Sequence, residues 1–278
     1  MTTAFVLSGG NNLGAVQVGM LRALAEHGEH PDMIVGASVG AVNGGWLAAG
    51  CDVSAIDRLA ITWESMSRKD IFPLSPVGGF LGFIGQRDHL VSNRNLRKLL
   101  ERNLQFENLE DAPIPLTVIS TDVLTGRENA ISTGNATQAI LASAAIPGVF
   151  PAVDIEGRPQ IDGGVVNDTP VSHAIKAGAD VVWALPTGFS CSAGEAPSSA
   201  LAMTLHAIGI MASQRLVIEI ERYRESVDLR IVPPPCPLEI SPIDFSQAPR
   251  LIEAGYSTTM TWLDMNRPNV NAEVSLQN

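Results

Sequence analysis

Residues 33 to 40 read Met33-Ile34-Val35-Gly36-Ala37-Ser38-Val39-Gly40. A short apolar run with strand character enters a glycine-flanked serine, and small residues then continue at helical spacing to position 49. Strand, tight turn and helix in that order are the setting of a nucleophile elbow, in which small neighbours let the chain turn sharply enough to lift a serine hydroxyl above a sheet. Ser38 would stand at the N-terminus of the following helix, where free N–H groups and the helix dipole favour negative charge. Gly36 and Gly40 are the elbow's flanking glycines.

The same unit occurs once before. Residues 4–7 are a short apolar strand, Ser8-Gly9-Gly10-Asn11-Asn12-Leu13-Gly14 is a glycine-rich turn, and residues 15–27 carry apolar side chains at helical spacing. Two consecutive units imply parallel strands joined by crossover helices, with the loops at the strand C-termini carrying the site. Further strands are expected at 116–121, 152–155 and 180–185, and helices at 56–66, 93–103, 137–144, 201–225 and 247–263. The expected fold class is α/β in three layers, with a mainly parallel central sheet and helices on both faces, as one domain over residues 1–278. The stretch 72–85 (FPLSPVGGFLGFIG) breaks this rhythm and could be a packed loop, a substrate-access lid or a subunit contact.

The chain has 278 residues, 45% of them hydrophobic and 17% charged, which suits a folded soluble protein. A formal net charge of −11 disfavours nucleic acid and anionic membranes as partners, and says little about uncharged lipids or esters. Cys51, Cys191 and Cys236 are far apart and odd in number, so neither a disulfide framework nor a zinc site is expected, and each is read as a buried thiol. The N-terminus lacks a signal-peptide pattern and no run is long enough to span a bilayer, so a cytoplasmic location is expected. If exposed, Phe72, Phe80, Leu81 and Phe83 would favour a peripheral contact with membrane lipids or with a partner chain.

Backbone N–H groups of Gly9, Gly10 and Asn11 could form an oxyanion hole facing Ser38. Phosphate-loop readings fit poorly, because the dinucleotide Gly-x-Gly-x-x-Gly pattern is missing and Gly14 does not precede Lys-Ser/Thr. A serine needs a base, and Asp162 in Ile161-Asp162-Gly163-Gly164 is the candidate, with Gly163 and Gly164 allowing close backbone approach. Taken alone, Asp-Gly-Gly is also a common turn. Five histidines are present, and the order Ser38, Asp162, then His173 or His206 keeps a Ser-Asp-His triad open.

Together with Ala142-Ser143-Ala144-Ala145-Ile146-Pro147-Gly148-Val149-Phe150-Pro151, these motifs resemble the bacterial patatin-like phospholipases in order and separation. The resemblance implies a Ser-Asp dyad in which Ser38 attacks a lipid or small acyl ester and Asp162 takes its proton, with no metal or organic cofactor. That family's first turn commonly reads Gly-Gly-Gly-x-Arg-Gly or its lysine variant. Here Asn11 stands for the third glycine and Leu13 for the cation, so Asn11 or Asn12 is expected to supply a neutral compensating donor. Acyl transfer through a histidine-assisted serine and a non-catalytic binding role are the rival functions.

Overall fold

The computed structural model describes residues 1–72, 88–188, 200–236, 240 and 244–265. β1 (Thr3–Leu7) passes through a 3₁₀ turn (Asn11–Leu13) into α1 (Gly14–Glu26), and β2 (Met33–Ala37) turns at Ser38 into α2 (Val39–Leu47). There follow α3 (Val53–Ser65), α4 (Arg68–Ile71), α5 (Arg94–Asn103), β3 (Leu116–Asp122), β4 (Glu128–Ile131) and α6 (Ala136–Ser143). The described chain continues with β5 (Val153–Ile155), β6 (Arg158–Asp162), α7 (Gly164–Asn167), α8 (Val171–Lys176), β7 (Val181–Leu185), α9 (Ala200–Tyr223), β8 (Asp228–Ile231) and α10 (Ala248–Asp264).

Among the described residues eight strands form one sheet. β3, β2, β1, β7 and β8 lie side by side and parallel, while β4, β5 and β6 join through antiparallel pairs. The central strands are apolar on both faces, as a sheet covered on both sides must be. Phe5, Leu7, Ile34 and Val118 face a core built with α1, α2, α3 and α10. Ala4, Val6, Val35, Ala37 and Ile119 face a second core built with α8 and α9. The three-layer α/β expectation therefore holds. The expected helices occur with ends displaced by a few residues, whereas β4, β6 and β8 were not anticipated.

β3 organises the site. On one edge its residues 118–121 pair with β4. On the other edge its first half pairs with β2 as far as Ala37 opposite Ile119, and its last residues pair with β6, Asp162 standing opposite Ser120. Thus β6 takes over the edge of β3 where β2 ends at the serine elbow. The terminal residue of β6 is brought to the terminal residue of β2 by sheet register alone.

One expectation needs correction, and one condition is not met. Cys236 is exposed and disulfide-bonded, not a buried thiol, whereas Cys51 is free and buried as expected. Phe72 is also buried, stacking on Phe150 with ring centroids 5.4 Å apart, so it offers no surface to a lipid. The rest of the 72–85 stretch lies outside the described residues.

Candidate active site

Ser38 adopts φ 53° and ψ −125°, a conformation that non-glycine residues rarely occupy and that persists only where the surroundings enforce it. The flanking glycines explain how. A Cβ at Gly36 would lie 2.6 Å from the Gly40 carbonyl oxygen, and one at Gly40 would lie 2.1 Å from the Leu7 carbonyl oxygen. The backbone N–H of Ser38 donates to Ser143 Oγ at 2.8 Å, and that hydroxyl donates to the Ile119 carbonyl at 2.6 Å. Ser143, buried in the Ala-Ser-Ala-Ala-Ile-Pro stretch, thereby ties the elbow to β3.

Ser38 Oγ donates directly to Asp162 Oδ2 at 2.6 Å. Asp162 Oδ1 accepts the Gly164 N–H at 2.8 Å, which holds the carboxylate plane toward the serine. Gly163 lets β6 end against β3, since a Cβ there would fall 2.1 Å from the Ile119 carbonyl oxygen. Both dyad side chains are buried. Burial pushes the Asp162 carboxyl up to about 6, partly offset by the hydrogen bonds from Ser38 and Gly164.

The first glycine-rich turn stands beside this pair, because a Cβ at Gly9 would lie 3.1 Å from Ser38 Cβ. The Gly9 carbonyl accepts from the hydroxyls of Ser8, at 2.9 Å, and Thr187. Since the peptide is trans and planar, the Gly10 N–H points away from those hydroxyls. Gly9 N–H itself donates to the Asp168 carbonyl at 3.2 Å, so of the three donors expected of the turn it is the one already engaged. Among the described residues no hydrogen bond uses the Gly10 or Asn11 N–H. Asn11 has φ 54°, so the place of the family's third glycine is taken by the residue type that best tolerates a left-handed backbone.

Asn12 is buried, and its Nδ2 donates to the Asp244 carbonyl at 2.9 Å. Its amide thus anchors the segment before α10. Beneath the turn Gln17 donates to the Ser8 and Leu185 carbonyls, both at 2.9 Å. Asn43 donates to Gln17 Oε1 at 2.9 Å and accepts from Trp63 Nε1 at 2.9 Å. These buried amides fix the glycine turn against α2 and α3. Nothing in the local sequence marks Gln17 or Asn43 apart from their being polar within apolar helices.

The histidines stand elsewhere. His173 pairs through Nε2 with Glu128, in a cluster where Arg215 lies 3.4 Å from Glu128 and 3.1 Å from Glu219. His173 holds the Glu128 carboxyl below its usual range. His89 pairs with Asp88. Among the described residues no histidine hydrogen-bonds Ser38 or Asp162. A second carboxylate does approach the dyad: Asp168, between α7 and α8, which the sequence reading missed. A Cβ at Gly164 would lie 2.7 Å from Asp168 Oδ1 and 3.1 Å from Asp162 Oδ1, so the two carboxylates share one small space.

No group of His, Cys, Asp and Glu among the described residues could hold a metal ion, and no described helix is long and apolar enough to cross a membrane. An uncharacterized NTE family protein of Mycobacterium tuberculosis is 31% identical over 183 residues, 66% of this chain and 48% of that protein. Patatin-like phospholipase domain-containing protein 7 of Rattus norvegicus is 31% identical over 188 residues, 66% of this chain but 13% of that protein. The chain thus spans about half the length of the mycobacterial relative and far less of the rat one. The solved structure of VipD from Legionella pneumophila superposes with a TM-score of 0.51 at 17% identity, covering 95% of this chain and 67% of that one, a likeness of fold. A family model described as patatin-like phospholipase matches residues 5–175, which include the glycine turn, the elbow and Asp162, and the chain belongs to that family.

Proposed function

We propose that the protein is a serine carboxylic-ester hydrolase of lipid or small acyl esters, working through a Ser38–Asp162 dyad. The observation that carries this reading is the direct 2.6 Å hydrogen bond from Ser38 Oγ to Asp162 Oδ2. A carboxylate in that position can take the serine proton without a histidine between them. Membership of a family named for phospholipases favours an acyl ester as the substrate.

In the first step Ser38 Oγ attacks the ester carbonyl carbon while its proton passes to Asp162. The oxyanion is received by the N–H groups of Gly10 and Asn11. As the intermediate collapses, the carbon–oxygen bond to the alcohol breaks and Asp162 returns the proton to the departing oxygen. Water then attacks the acyl-serine, its proton going to Asp162, and the acid leaves as Ser38 regains its hydrogen. The cycle consumes one water and needs no other reactant.

The test is hydrolysis of p-nitrophenyl esters across acyl lengths by the wild type beside Ser38→Ala at matched folding. Turnover lost in the variant supports the reading, and turnover retained by the variant, or absent from both at every length, defeats it.

The dyad also dictates a pH response. Only ionised Asp162 acts as the base, so kcat/KM should climb about tenfold per pH unit in acid and level off above about 6. Stability runs the other way. The native carboxyl holds its proton more tightly than the unfolded one, so its stabilising contribution is complete in acid and is lost as pH rises from 3.8 to about 6. A pH–rate profile and a pH series of unfolding midpoints measure the two limbs. A rate that stays flat down to pH 4.5 would remove Asp162 from the role of base.

A further inference from the structure

We propose that Asp168 is a specificity-determining carboxylate at the catalytic centre, making the enzyme select acyl esters that are uncharged beside the scissile bond and reject those carrying an anionic group there. The inference rests on the hydrolase reading above and names its substrate class.

Three observations converge. The first is position. A Cβ at Gly9 would lie 2.2 Å from Asp168 Oδ1 and 3.1 Å from Ser38 Cβ, which places the carboxylate against the turn that faces the nucleophile. The Asp168 carboxyl is buried between Gly9 and Gly164, beside Ser38 and Asp162, so it acts on an arriving ester through its charge rather than by contact. It is not the base, because the Ser38 hydroxyl donates to Asp162.

The second is the lack, among the described residues, of compensating charge. The charged group acting on Asp168 is Asp162, from the end of β6, and the facing turn contributes only a backbone N–H, from Gly9. The Glu128, His173, Arg215 and Glu219 cluster bonds to Asn167 and Ser172, and none of its members acts on Asp168 or Asp162. Burial and the neighbouring Asp162 push the Asp168 carboxyl up to about 7, so it becomes anionic in the range where the dyad works.

The third is what occupies the turn. Leu13 packs on the apolar core, and the turn from Ser8 to Gly14 carries no cation. A like charge brought into a partly desolvated site is penalised far more than in water. An ester with a carboxylate or phosphate near its acyl bond therefore meets repulsion with no counter-charge among the described residues, whereas an uncharged ester does not.

The experiment compares p-nitrophenyl octanoate with its carboxylated analogue, 3-carboxy-4-nitrophenyl octanoate, at pH 8 and low ionic strength. The wild type should favour the uncharged ester by about tenfold or more in kcat/KM, mostly through KM. Asp168→Asn should narrow that ratio at least about threefold. Any change in Asp162 basicity acts on both esters alike and cancels in the ratio. If the variant does not fold, the wild type still decides: added salt, and lowering the pH from 8 to 6, should each shrink the ratio.

Equal rates on the two esters overturn the proposal. So does a ratio that ignores salt and pH, or one that survives Asp168→Asn unchanged, since the discrimination would then be steric. Absence of Ser38-dependent turnover of the uncharged ester is the distinct result that defeats the hydrolase reading itself, and the inference with it.

Discussion

Asp162→Asn is expected to lower kcat by about 10³- to 10⁴-fold while leaving KM nearly unchanged and making the protein more stable at neutral pH. An asparagine keeps the shape and can still accept the Gly164 N–H and meet the serine hydroxyl, so ground-state geometry survives. It cannot take the proton. The stability gain follows from burial, which is the largest influence raising the Asp162 carboxyl to about 6 and so works against its ionised form. Removing that charge should recover about 1–3 kcal/mol at pH 8. Opposite movements of activity and stability separate loss of the base from damage to the fold, and stopped assays beside urea unfolding measure both. His173→Ala should show the reverse pattern, a weaker fold with turnover largely kept, because His173 serves Glu128. Near-wild-type turnover in Asp162→Asn would move the base elsewhere.

This contrast bears on what the residues disclosed before any coordinates. The elbow and the first glycine turn were legible, because each sits between an apolar run and a helical pattern and its glycines have a steric reason. The strand that delivers Asp162 was not. Arg158-Pro159-Gln160-Ile161-Asp162 has no alternation of strand type and contains a proline, and it becomes a strand only because β2 ends and leaves the edge of β3 unpaired. Asp162 was found through the two glycines after it and the family resemblance, not through its element.

Asp168 was beyond reach for a related reason. Asn167-Asp168-Thr169-Pro170 reads as a polar turn, and its carboxylate meets the dyad only after α7 folds back against the first glycine turn. At the place of the family's third glycine, Asn11 adopts φ 54°, a left-handed backbone that asparagine tolerates better than most residues. Of the three donors expected of the turn, Gly9 has its N–H engaged by a distant carbonyl, that of Asp168, which a local pattern does not reveal.

Gly40→Ala is the substitution expected to damage the fold most. A single methyl at this position would fall 2.1 Å from the Leu7 carbonyl oxygen and 2.6 Å from that of Ser8. Neither atom can retreat cheaply. β1 is hydrogen-bonded on both edges, Leu7 pairing with Gly36 on one side and Leu185 on the other, and the Ser8 carbonyl is held by Gln17. The start of α2 would have to move off the sheet, so a loss of at least about 3 kcal/mol is expected, beyond ordinary overpacking by one methyl. Gly50→Ala is the matched control, since no atom lies within 4 Å of its added Cβ and its φ is not positive, and it should stay within about 1 kcal/mol of wild type. Urea midpoints at constant slope give both values. Because the same close approach carries Ser38 to the glycine turn, whatever Gly40→Ala protein remains folded should turn over esters more slowly as well as unfold sooner. A variant that keeps wild-type stability would mean that the elbow and β1 do not meet at this distance, and the proposed reception of the oxyanion by the Gly10 and Asn11 N–H groups would lose its structural support.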